Sequence, residues 1–140
     1  MKKVIAIQLI LVLFLVSSIN AQNNLSEANV KSALTKIFDL SKNQNYESLA
    51  SLMLYSKKDE LRKFNYKSKS EAKIVKRMSK KIKAYLDLSD SYEYESLTTG
   101  KEFNLPSTNL KVNFKSGDQE LTISFLFVDH SGNILLSKFK

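Results

Sequence analysis

Apolar residues recur along this chain with two different periods, and the period changes once, near Ser89. Upstream they return every three or four positions, the spacing of one helix face. Val30, Ala33, Leu34, Ile37 and Phe38 define a first helix, opened by Ser26 and ended near Leu40 by the polar break SKNQN. Leu49, Leu52 and Met53 place a second helix in YESLASLML. Ser56 and Asp59 resemble a capping arrangement, which predicts a short third helical piece with Leu61 and Phe64. Ser68 and Glu71 have full capping-box spacing and open a long helix that runs to Asp87 or Leu88.

Downstream of Ser89 the apolar residues alternate, as in half-buried strands. SYEYESLTT sets Tyr92 and Tyr94 against Glu93 and Glu95. NLKVNF places Leu110, Val112 and Phe114 on one face, and ELTISFLFV does the same for Leu121, Ile123, Phe125 and Phe127. ILLSKF closes the chain. The turns SGDQ and DHSGN join the last three segments into an antiparallel meander, and Leu105 and Pro106 fall in the loop before it. Helices followed by strands predict an α+β domain, with amino-terminal helices packed on a curved antiparallel sheet of about four strands. The other face of the strand 120–128 reads Thr122, Ser124, Leu126, Val128, polar at first and apolar at its end. A sheet covered on one side keeps its other side polar. This end therefore requires a second cover, for which a homodimer partner and the chain's own first helix or loop are the candidates.

The first residues change the picture of where this domain works. Lys2 and Lys3 precede thirteen residues, 4–16, that are apolar except for Gln8, and small and polar residues follow as far as Ala21. That is the layout of a secretory signal peptide, and thirteen residues fall short of the roughly 20 that cross a bilayer. Cleavage between Ala21 and Gln22 is expected, leaving residues 22–140 as one domain in the periplasm or outside the cell. With no cysteine in the chain, lipid attachment at the cleavage site, disulfides and thiolate metal ligands are excluded. No later stretch is apolar for long enough to span a membrane.

Charge is distributed unevenly. The formal net charge of the whole chain is +8. Residues 57–83 hold twelve basic and three acidic side chains, whereas Asp87, Asp90, Glu93, Glu95 and Glu102 face only Lys101 in 87–102. On a helix of ~100° per residue, Ile74, Val75, Met78, Ile82, Tyr85 and Leu86 share one arc. Lys69, Lys73, Lys76, Arg77, Lys80 and Lys83 share the opposite one. A solvated helix face accounts for that arrangement, but glutamates would normally be interleaved, because like charges four apart each cost roughly 0.2–0.5 kcal/mol. The same six side chains are the candidate anion-binding set. An exported protein is an awkward partner for nucleic acid, and an anionic lipid or polysaccharide at a cell envelope suits the stripe better, as a weak contact.

Three amino-terminal helices, then SDSYEYESLTT, then LKVNFKSGDQELTISFLFVDHSGNILLSKFK, resemble the nuclear transport factor two-like superfamily of cystatin-like α+β cones. More narrowly, they resemble small exported bacterial proteins of that shape. The resemblance covers the whole of 22–140 and implies the fold. It departs in Gly132-Asn133-Ile134, where such domains often carry an aromatic residue after the turn glycine. Enzymes of this shape are implied to use an aspartate with a tyrosine or histidine inside the cone, and the candidates are Asp39 with Tyr46 or Tyr55. His130, the single histidine, sits among the turn residues DHSGN. One histidine and no cysteine leave no transition-metal set, and the three glycines are isolated, so no phosphate loop exists and no cofactor is expected. The reading is an exported, non-enzymatic binding or interaction module for a small ligand or a protein partner. The alternatives are an isomerase- or dehydratase-like enzyme and weak association with an anionic envelope surface through the basic helix.

Overall fold

Ser26 caps the first helix, its hydroxyl accepting from the Asn29 N–H at 3.3 Å. The helix, α1 (Glu27–Lys42), buries Val30, Leu34, Ile37 and Phe38. The computed structural model describes residues 24–57 and 59–140; the expected signal segment, with Ala21 and Gln22, lies outside the described residues. Asn45 caps a short α2 (Tyr46–Ala50), and the long helix α3 spans Lys69–Asp87. Two sheets accompany them. One is the hairpin β1 (Leu54–Lys57) and β2 (Glu60–Lys63), and the other is the meander β3 (Ser91–Glu102), β4 (Leu105–Ser116), β5 (Gln119–His130) and β6 (Asn133–Phe139). Every pairing within the two sheets is antiparallel. The result is the α+β architecture that the resemblance implies, with helices on one face of a curved four-stranded sheet.

Curvature comes from irregularities in both edge strands. Opposite β4, the register of β3 slips at Glu95, so that Tyr92 and Tyr94 and then Leu97 all face the helices. Opposite β5, β6 slips at Ser137, so that Ile134 and Leu136 and then Phe139 do the same. Such bulges bend a strand and increase its twist. Phe38 of α1 fills the concave side, 5.2 Å from Tyr92, 6.0 Å from Phe114 and 5.6 Å from Phe125 between ring centroids. Tyr85 of α3 closes it from the other helix, against Phe114 and Phe139.

Three expectations are corrected. The second helix stops at Ala50: Met53 bridges β6 at Leu136, and the Leu136 N–H donates to the Leu52 carbonyl at 2.9 Å. The segment expected as a third helical piece is the β1–β2 hairpin. Asp59 adopts φ +59° there as a turn residue rather than completing a cap, and Tyr55 meets Phe64 edge to face. Leu105 and Pro106 belong to β4, with Pro106 opposite Lys101. β5 pairing begins only at Ser107, so β4 is locally an edge at Pro106 and the missing N–H breaks no ladder bond.

The hairpin also supplies the second cover. Leu54, Val128 and Leu135 form a separate buried cluster with Leu61 against it, on the outer face of the sheet. The chain itself thus covers Val128 at the apolar end of β5, while Leu126 is half-buried.

Candidate functional site

α3 turns Val75, Ser79 and Ile82 into the core and leaves Lys69, Lys73, Lys76, Arg77 and Lys80 exposed. With Ala72 as floor, these five line an open depression of about 560 Å³. Lys69 to Lys80 spans about 16 Å at the helical rise of ~1.5 Å per residue. Lys83, the sixth member of the expected set, is drawn away by Asp87 one turn on.

Partners separate these cations from the other charges. Among the described residues, none of the five pairs with a carboxylate. The acids of 90–102, by contrast, are engaged by residues of the sheet and its turns. Glu93 pairs with Lys115 at 2.9 Å and Glu102 with Lys138 at 2.6 Å, while Asp90 accepts from the Gly117 N–H at 2.9 Å. Glu95 accepts from the Thr122 hydroxyl at 3.4 Å. The pairing with Glu93 raises the pKa of Lys115.

The amino-terminal end of α3 is held by a different device. Glu71 does not complete a capping box, and Ser68 makes no side-chain cap. Its carboxylate accepts from both terminal nitrogens of Arg62 at 2.9 Å and from the Asn65 N–H at 2.7 Å. A two-pronged guanidinium is the stronger donor for a carboxylate with little water around it. Arg62 holds the Glu71 carboxyl below its ordinary pKa, assisted by the Asn65 N–H against the opposing effect of burial. Arg62 also meets Glu60 at 3.0 Å and lies 4.1 Å from the centre of the Tyr55 ring. The β1–β2 hairpin is thereby fastened to the start of the basic helix.

Beside that start lies an aromatic pair that sequence reading missed. Tyr46 of α2 and Tyr66 of the loop before α3 stack with centroids 6.4 Å apart and planes 26° apart. The Lys76 ammonium stands 5.6 Å from one ring centre and 5.8 Å from the other. Tyr46 lies twenty residues before Tyr66, in an unrelated element, and no local spacing signals their meeting.

Among the described residues no hydrogen bond joins Asp39 to Tyr46 or Tyr55. Asp39 is exposed on α1, Tyr46 donates from its hydroxyl to Gln44 at 3.0 Å, and Tyr55 is engaged by Phe64 and Arg62. Asp39 instead lies near Tyr92, whose phenol is pushed up from its ordinary pKa mainly by burial, with Tyr94 and Asp39 adding to it. That is the wrong direction for a group exchanging protons near neutrality. The acid buried among the described residues is Glu71, which is committed to Arg62. His130 ends β5 and its carbonyl accepts from the Asn133 side chain. Among the described residues no cluster of histidine, aspartate and glutamate could hold a metal, and no helix is long and apolar enough to cross a membrane.

No family model and no curated protein matches this sequence. A solved structure does. It is a designed nuclear transport factor two-like protein, 12% identical, matched over 82% of this chain and 98% of its own, with a TM-score of 0.46.

Proposed function

We propose that this protein is an exported, non-enzymatic binding module that works through the outward face of α3 and takes polyanions as ligands. One observation carries the reading: five cations share one depression without a carboxylate among the described residues, although Asp87, Glu93 and Glu102 are each ion-paired. The arrangement has a cost. Lys69/Lys73, Lys73/Arg77 and Lys76/Lys80 are like-charged pairs four residues apart, worth together roughly 1 kcal/mol of repulsion. A bound polyanion relieves that repulsion. Each lysine or arginine near an anionic surface contributes about 1 kcal/mol, so these five give affinity on the order of 10⁻⁴ M. Such binding is reversible and sensitive to salt.

The test uses residues 22–140 and a double charge reversal, Lys73→Glu with Lys80→Glu. The unaltered protein should be retained on an immobilised acidic polysaccharide at low salt and released as salt rises, and the double variant should pass through. Passage of the unaltered protein at low salt would sink the proposal.

A further inference from the structure

Lys76 belongs to two features at once. It lines the basic depression, and its ammonium lies over both rings of the Tyr46–Tyr66 stack. We infer that Tyr46, Tyr66 and Lys76 form a subsite for one residue of a linear acidic polysaccharide, whose following residues run along Lys73, Arg77 and Lys80. This rests on the polyanion reading above and specifies its ligand.

The chemistry follows from how compact the site is. The ammonium is within 6 Å of both ring centres, so a ligand must offer an apolar face and a negative charge in one small unit. A pyranose bearing its own carboxylate does that: its C–H face meets a tyrosine ring while its carboxylate meets Lys76. Tyrosine suits such a unit because it presents a flat apolar body with a polar tip. In a nucleotide, the stacking base and the phosphate are held apart by the sugar, which this spacing fits less well. A bilayer fits least well. Both tyrosines are half-buried and pack against the core rather than projecting beyond the lysines. The large apolar side chains that do project near α3, Leu88 and Leu121, lie at its far end beside Asp87 and Glu120, whose charges oppose an anionic membrane.

Two polymers of matched charge and length separate the inference from the reading beneath it: polygalacturonate, with a sugar ring for every carboxylate, and polyglutamate, with none. The protein should bind polygalacturonate about tenfold more tightly. Tyr46→Leu and Tyr66→Leu, which keep apolar bulk, should each remove about three- to tenfold of that affinity while leaving polyglutamate binding unchanged, and Tyr66→Phe should retain it. Equal affinity for the two polymers overturns the subsite and leaves the polyanion reading standing. So does an equal loss for both polymers in the leucine variants, or tighter binding to a single-stranded oligonucleotide or to phosphatidylglycerol vesicles. Failure to bind either polymer overturns both. Should a leucine variant not fold, the comparison of polymers by the unaltered protein decides the matter alone.

Discussion

Phe103 and Asn104 carry the chain from β3 into β4 with φ of +53° and +60°. Two successive positive φ values make the tight hairpin turn whose twist matches that of the strands, and it favours asparagine or glycine. Phe103 is 45% exposed, so little burial offsets the strain of a bulky side chain there. Phe103→Asn should raise stability by about 1 kcal/mol, read as a higher urea midpoint. Glu71 gives a prediction of opposite character. Its folded-state pKa lies below the ordinary 4.5, so its ionised form stabilises the fold above that value, and the contribution is lost as pH falls through the folded-state pKa. Glu71→Gln should therefore destabilise the protein at neutral pH, and the gap from the unaltered protein should narrow below about pH 4.5. A gap independent of pH would mean that packing, not charge, holds the residue.

At the scale of elements, α3 is a helix whose buried and exposed faces were legible from apolar spacing alone. Val75 and Ile82 are buried where the arc placed them, and Ile74, at the edge of that arc, is only half-buried. The hairpin was not legible. LYSK and ELRK are four-residue strands, too short for alternation to outweigh a coincidental capping spacing. Their strand character comes from Leu54 and Leu61 packing over Val128 and Leu135, contacts that local sequence does not contain. A prediction belongs to the basic stripe itself. Lys73→Glu with Lys80→Glu turns its three repulsive pairs attractive and should stabilise the fold by about 2 kcal/mol, while abolishing polyanion retention. Thermal unfolding of the double variant checks the first half. A stripe that is merely a solvated face would show the gain in stability with no binding to lose.

Across the whole molecule, charge is sorted by fold as well as by sequence. The basic run and the acidic stretch 87–102 adjoin in the chain, yet among the described residues Lys83–Asp87 is the ion pair between them. The sheet engages its acids with Lys115, Lys138 and Thr122, which leaves the helix face uncompensated. Export is a claim at this scale too. Protein recovered outside the cytoplasm should begin at Gln22, so its intact mass should be that of residues 22–140, and recovery of the full-length chain there would count against cleavage.

The sequence by itself determined the change from helix to strand near Ser89, the faces of α1 and α3, and, except for the exposed Leu121, which residues of β4 and β5 are buried against the helices. Each of these is set by the spacing of neighbours along one element, where apolar burial imposes a period of 3.6 or of 2. Only the tertiary structure decided that the β1–β2 hairpin covers Val128 at the outer end of β5, that Glu71 serves Arg62 rather than a cap, and that, among the described residues, five of the six candidate cations have no carboxylate partner while Lys83 does. It alone placed Tyr46 and Tyr66 under Lys76. Those outcomes depend on which distant side chains compete for one partner, and such competition is settled by geometry that no local period encodes.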